Sequence, residues 1–243
     1  MKHMISSPVT DSLKKRAILV QRGGARAAVL GVNDGLVSTL CLVVGVAGAG
    51  GDPKAVLTAG LAGLLAGATS MAAGEWISVK SQVDLLEGVL SDLKSATKTD
   101  RPALTDNLAH ALAHKGMDQH VAHEAAADIA KHDKNFMSLY SSQVIGLNQD
   151  ELGSPWNAAI SSFLLFMVGA VVPLLPWMFG MSHDPAIILA ITLTGLAGLF
   201  VGGFTSRSSG KNITFGALRQ LGIVLFSAAA TYGIGLLFGM ILK

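Results

Sequence analysis

Five stretches of the chain are apolar over about 20 residues or more, and this pattern constrains the fold more than any other feature. They cover roughly 27–50, 55–79, 157–180, 186–206 and 214–242. A segment of this length crosses the hydrocarbon core of a bilayer, and in lipid it must satisfy its own backbone hydrogen bonds, so each stretch is predicted to be a helix. The predicted fold class is an all-α membrane protein with five transmembrane helices.

The composition agrees with membrane insertion and excludes other classes. Of the 243 residues, 51% are hydrophobic and only 14% are charged, an apolar excess that is typical of membrane proteins. The net charge of +2 is too small to indicate a nucleic-acid partner. Cys41 is the single cysteine, so no intrachain disulfide can form.

The basic residues predict the orientation. Sixteen of the eighteen lysines and arginines lie before the first stretch, between the second and third, or near the fourth-to-fifth connection; Lys54 and Lys243 lie on the other side. The positive-inside rule then places the N-terminus in the cytoplasm. The predicted parts are a cytoplasmic N-terminal segment (1–26), transmembrane helices 1 and 2 (27–80), a helical cytoplasmic domain (81–154) and transmembrane helices 3 to 5 (155–243). We expect a bacterial inner membrane, although the topology also suits a vacuolar membrane.

Two acids, Asp34 and Glu75, lie inside the first two apolar stretches. An acid at bilayer depth costs roughly 2.5–3.5 kcal/mol on insertion scales, so it usually faces a bundle interior, a partner or an ion. Both are expected at similar depth near the cytoplasmic side, and Met71 lies one turn deeper than Glu75 on the same helix face. The predicted pathway residues are Asn33, Asp34, Met71 and Glu75. The last three are predicted metal ligands, and carboxylates with one thioether suit Mn²⁺ or Fe²⁺ better than Cu(I) or tetrahedral zinc.

Each of these residues also has a structural interpretation. Asp34 can take part in a helix–helix hydrogen bond through Asn33 or its neighbours. Met71 can be a packing residue, and Glu75 can extend to the interface beside Lys80.

The segment 81–154 differs from the rest in composition. It holds eleven of the sixteen acidic residues and five of the seven histidines, with helical periodicity in about 83–96, 103–115 and 118–134. On the third of these helices four candidate metal ligands recur every fourth residue, namely His120, Glu124, Asp128 and His132, and His110 with His114 forms a similar pair. The alternative is a solvated face with local charge pairs.

Two segments resemble the vacuolar iron transporter family of Fe²⁺ and Mn²⁺ exporters. They are Asn33-Asp-Gly-Leu-Val-Ser-Thr-Leu, continuing through Gly45-Val-Ala-Gly-Ala, and Ser70-Met-Ala-Ala-Gly-Glu-Trp-Ile-Ser-Val-Lys-Ser-Gln-Val-Asp. The resemblance implies a homodimer with the ion path between the first helices of the two protomers, and export of metal from the cytosol in exchange for protons. It places Asp34 and Met71 on the family's pathway positions and Glu75 on the acid of its Gly-Glu motif.

The resemblance weakens in the segment 81–154. The family builds a glutamate-rich metal-gathering site there, and Asp84 and Glu87 match its beginning as further candidate ligands. Leu104 and Asn107 stand where its Glu-x-x-Glu pattern is expected. The histidine and acid stripe of the third predicted helix either replaces that site or is a surface without metal.

The sequence therefore predicts a transporter of divalent metal ions, with Fe²⁺ or Mn²⁺ as the substrate and no permanently bound cofactor. The alternative is a membrane-anchored metal-binding or sensing protein whose segment 81–154 is the active part. We do not expect an enzyme, because the sequence has no Ser-His-Asp candidate at membrane depth, no phosphate-binding glycine loop and no zinc-protease order.

Overall fold

The computed structural model describes residues 24–147 and 153–241, which are almost entirely helical and contain no strand. Residues 1–23 of the predicted N-terminal segment 1–26 lie outside the described residues. The helices are α1 (Gly24–Gly48), α2 (Pro53–Thr99), α3 (Arg101–His114), α4 (Gln119–Ile129), α5 (Asp133–Tyr140), α6 (Pro155–Met178), α7 (His183–Ser208) and α8 (Ile213–Ile241), with a π-helical turn at Ser141–Ile145.

Five of these helices, α1, α2, α6, α7 and α8, are long and apolar enough to cross a membrane, which confirms the predicted fold class. The chain divides into two compact units. The first holds the residues up to Trp76 together with those from Pro155 onward, and the second is Ile77–Ser154. The cytoplasmic location predicted for 81–154 stays a prediction.

The helical conformation predicted for 83–96 is confirmed, but these residues continue α2 and do not form a helix of their own. This helix runs without a break for 47 residues, about 70 Å at ~1.5 Å per residue. Between Trp76 and Val83 the sequence has no proline or glycine that would end a helix, although its apolar character falls there. The helix ends at Thr99, where the Asp100 carboxylate accepts from the backbone N–H of Ala103 and caps α3.

The prediction of one continuous helix over 118–134 is wrong, because α4 ends at Ile129 and a second helix, α5, begins at Asp133. Burial explains the break. Ala126 on α4 and Phe136 on α5 are both fully buried, yet in one straight helix ten residues would separate them by about 2.8 turns and turn them toward different sides. The turn between the helices brings Phe136 back to the core. As a result His132 occupies the N-cap position of α5, without a side-chain capping hydrogen bond, and does not lie on the helix of His120.

In the first unit, α1 packs against α6, α7 and α8. Glycines allow the closest approaches: a Cβ on Gly35 would lie 2.2 Å from the Phe166 carbonyl oxygen, and one on Gly169 would lie 2.2 Å from the Val32 carbonyl oxygen. Small residues at helix crossings let backbones meet closely in lipid. The core contains Leu40, Val43, Val44 and Leu174, all fully buried.

The second unit has a core of its own. Leu93 from the end of α2 packs with Leu108, Phe136 and Tyr140. The Arg101 guanidinium lies 5.1 Å from the centre of the Phe136 ring and donates to an Asp133 carboxylate oxygen at 2.5 Å. These contacts connect α3 with α5.

We expect Gly35→Val to destabilise the helix packing by about 3 kcal/mol or more, because its side chain meets the α6 backbone, which cannot move aside. Thermal unfolding of the purified protein in detergent measures the effect. Gly74→Ala is the matched control, since a Cβ there meets nothing within 4 Å, and we expect its melting temperature to stay the same or rise. Equal melting temperatures for Gly35→Val and the parent would contradict the packing described.

Candidate functional site

An open groove of about 340 Å³ lies in the first unit between α1 and α2. On α1 the residues Asp34, Ser38 and Leu42 lie one turn apart on the same face. The lining residues are Asp34, Ser38, Thr39 and Leu42 from α1, Gly63, Gly67, Ser70 and Met71 from α2, and Phe166 from α6. The groove therefore holds a carboxylate, hydroxyl groups and a thioether within two apolar helices.

The turn between α1 and α2 sets the pairing of residues across the groove. Gly50 has a φ of +89°, a conformation that favours glycine, and the Asp52 carboxylate accepts from the Ala55 N–H at 2.7 Å to begin α2. The two helices then run antiparallel. A Cβ on Gly63 would lie 2.2 Å from Leu42 Cδ2, so these two residues lie opposite each other. Asp34 on α1 and Met71 on α2 each lie eight residues, about two helical turns, farther from the connection than this pair, so they lie at the same level.

The side of the groove is open in the single chain, and its polar residues are exposed. Asp34, Ser38 and Ser70 are all exposed, whereas Met71 is half-buried. The Ser38 hydroxyl donates to the Asp34 backbone carbonyl at 2.5 Å and not to the Asp34 carboxylate. An exposed carboxylate within a membrane-spanning helix is unfavourable next to lipid, so this edge requires a covering partner, water or an ion.

The structure places Asn33 away from the groove. Its side-chain oxygen accepts a hydrogen bond from the amide of Gln220 on α8, and Gln220 is buried. Asn33 therefore connects α1 to α8, and it is not among the residues that line the groove. Sequence reasoning missed Gln220, although a glutamine inside an apolar stretch was the available signal.

Glu75 is half-buried and lies one turn beyond Met71, about 6 Å farther along α2. It does not line the groove. The pairing of Leu42 with Gly63 puts Glu75 about one turn nearer the start of α1 than Asp34, so the two acids lie at neighbouring levels. Next to Glu75, Trp76 meets Trp156 edge-on with ring centres 5.9 Å apart.

The VIT family model matches residues 25–236. This chain belongs to the VIT family. Its relatives include the vacuolar iron transporter homolog 1 of Oryza sativa subsp. japonica, which is 35% identical over 88% of this chain and 74% of the relative. The vacuolar iron transporter homolog 2 of Arabidopsis thaliana is 32% identical over 88% and 84%, and the vacuolar iron transporter 2 of Oryza sativa subsp. japonica is 28% identical over 95% and 97%. The resemblance found in the sequence is confirmed, and the protein is a multi-pass membrane protein.

In the second unit of this VIT family chain, several of the predicted metal ligands do not lie together. Asp84 accepts from Lys80, and Glu87 is exposed. On α4 the His120 Nδ1 and a Glu124 oxygen are 3.9 Å apart, but the Asp128 carboxylate has a lysine partner, with Lys131 Nζ at 3.0 Å. Because His132 is off this helix, the predicted stripe of four ligands is interrupted. The structure instead groups Asp106, His110 and His123, of which sequence reasoning singled out only His110.

We expect Gln220→Leu to lower the stability of the VIT family fold by about 1–3 kcal/mol, because the Asn33 amide then loses its partner in an apolar region. The melting temperature of the purified protein measures this loss. The double variant Asn33→Leu with Gln220→Leu removes both polar groups, and we expect it to recover most of the loss. A double variant as unstable as the sum of the two single ones would contradict the pairing.

Proposed function

We propose that this chain is a divalent metal cation transporter that exports Fe²⁺, Mn²⁺ or both from the cytosol in exchange for protons. The observation that carries the proposal is the groove, in which the Asp34 carboxylate and Met71 lie at one level between two apolar helices. The names of the relatives support iron as a substrate. In this proposal the metal is cargo and not a resident cofactor.

The donor atoms of the groove support this class of ion. Carboxylate and hydroxyl oxygens suit Mn²⁺ and Fe²⁺, and a thioether adds one softer ligand that Mg²⁺ and Ca²⁺ do not favour. Asp34, Ser70 and Met71 supply these three kinds of donor. The set is small and open on one side, which suits an ion that must enter and leave.

The open edge supports a homodimer. Asp34 and Ser38 are exposed along α1, inside the segment that spans the membrane. A second copy facing this edge would remove the carboxylate from lipid and bring two Asp34 side chains toward one path. Two carboxylates could then neutralise one divalent ion.

Exchange for protons follows from the chemistry of a carboxylate. The same oxygen binds either a proton or a metal ion, so loading one requires release of the other. In the proposed path Glu75, one turn away from Asp34 on the side predicted to be cytoplasmic, accepts the ion first and passes it to Asp34 and Met71. The predicted ligands Asp84, Glu87, His120, Glu124, Asp128 and His132 are proposed to act on the cytosolic side, before the ion enters the path.

We expect Asp34→Asn to lower the initial rate of Fe²⁺ or Mn²⁺ uptake into inside-out vesicles with an acidic lumen by about tenfold or more, because an amide neither carries charge nor exchanges a proton.

Met71→Leu keeps the volume of the side chain but removes the sulfur. In the same assay we expect a smaller loss of uptake rate than for Asp34→Asn, and this loss is expected to be greater for Fe²⁺ than for Mg²⁺.

Asp92→Asn is the matched control, since Asp92 is an exposed acid in the second unit, and we expect its uptake rate to equal that of the parent. All variants are compared at equal amounts of folded protein by size-exclusion chromatography. Unchanged uptake by Asp34→Asn would overturn the proposed pathway.

We expect Ser38→Cys, in a Cys41→Ser background that leaves one thiol per chain, to form a disulfide-linked dimer on mild oxidation in membranes. The reason is that two Ser38 positions approach each other when a second copy covers the groove. Phe226→Cys is the control, because Phe226 is 75% exposed on α8 and is expected to face lipid. Cross-linking of both variants to the same extent, or of neither, would contradict this dimer.

A further inference from the structure

We propose that Asp106, His110 and His123 form a second divalent metal site, in the second unit of the chain. The three side chains come from two helices, α3 and α4, and their donor atoms all lie within 4.8 Å of one another. Among the described residues this is the group of histidine and acidic side chains that could hold an ion. The inference goes beyond the proposed transport, because binding here does not require the groove.

The packing of α3 on α4 brings these residues together. Ala109 on α3 and Ala122 and Ala126 on α4 are buried, and small side chains such as these allow helices to approach closely. Gly116, with a φ of +97°, makes the turn that reverses the chain. Asp118 then begins α4 by accepting from the backbone N–H groups of His120 and Val121.

The distances fit a site that tightens around an ion. One Asp106 oxygen lies 3.5 Å from His110 Nε2, and the other lies 3.6 Å from His123 Nδ1. Neighbouring ligands of one ion are about 3 Å apart, given metal–ligand distances of about 2.0–2.2 Å. The side chains are 57%, 61% and 44% exposed for Asp106, His110 and His123, so changes of rotamer can close the remaining gap without moving the backbone.

The surrounding charges do not oppose a cation. A groove beside Asp106 and His123 contains Arg101 and Lys131. Arg101 is paired with Asp133 at 2.5 Å, and Lys131 is paired with Asp128 at 3.0 Å. Both positive charges therefore already have acid partners.

The ligand set indicates the class of ion. Two imidazoles and one carboxylate on one side, with open positions on the other, are the arrangement used by non-haem Fe²⁺, and Mn²⁺ and Co²⁺ accept the same donors. Three ligands near the surface leave room for water and for rapid exchange. Such a site suits an ion that is captured and passed on.

The test measures Mn²⁺ binding to the full chain in detergent by the loss of the electron paramagnetic resonance signal of free Mn²⁺. The parent for this experiment carries Asp34→Asn, so that the groove does not contribute and the result is independent of transport. We expect His123→Ala and His110→Ala each to weaken Mn²⁺ binding by about tenfold or more, as expected for the loss of a direct ligand. Circular dichroism checks that the helix content is unchanged.

Asp92→Asn is the matched control, because Asp92 is an exposed acid of the second unit that lies outside this group, and we expect its affinity to equal that of the parent. Asp106→Asn keeps the shape of the side chain and is expected to weaken binding as the histidine variants do. The proposal would be overturned if the parent bound no Mn²⁺, if the three site variants bound it as well as the parent, or if Asp92→Asn weakened binding equally.

Discussion

The energetic cost of a carboxylate inside a membrane-spanning helix is the constraint on which the arrangement of the first unit depends. Asp34 cannot be left beside lipid, and the helices around it do not bury it. Asp34 lies instead in a short open groove whose other polar side chains are Ser38, Thr39 and Ser70. The groove that is proposed to carry an ion is thus also the feature that keeps this acid away from lipid.

The close packing of α1 against the neighbouring helices is the second requirement, and it depends on glycine. Gly35 and Gly169 let α1 lie directly on the α6 backbone, which fixes the rotation of α1 and so the direction of Asp34. On the adjacent side of α1, Asn33 is held by Gln220. Asp34 is consequently presented to the groove by contacts that involve none of its own side-chain atoms.

The sequence predicts the membrane helices well and the second unit less well. Apolar length gives spans such as 186–206 close to their observed bounds, here His183–Ser208, because crossing lipid depends on a property of each segment alone. The change from apolar to mixed composition near Trp76 suggests a boundary, but a change of composition does not by itself end a helix, so α2 continues. The sequence predicts that Asp34 and Glu75 lie at similar depth, whereas in the structure Asp34 and Met71 line the groove together and Glu75 does not.

Contacts between residues far apart in the sequence could not be predicted from local patterns. The pairing of His123 with Asp106 depends on the turn at Gly116 and on the rotation of one helix against the other. A search for ligands every fourth residue finds only partners on a single helix. The hydrogen bond between Asn33 and Gln220 was missed for the same reason, since its partners lie on helices at opposite ends of the chain.

The glycines at positions 63 and 67 have a further consequence. There is no room for a side chain at these two positions, since a Cβ on Gly67 would lie 2.3 Å from the Phe166 ring and one on Gly63 would lie 2.2 Å from Leu42 Cδ2. A methyl group at either position would displace Phe166 or Leu42, and both of these side chains line the groove. The calibre of the groove is therefore set by residues other than Asp34 and Met71, and a single substitution would change it while the proposed coordinating atoms stay chemically the same.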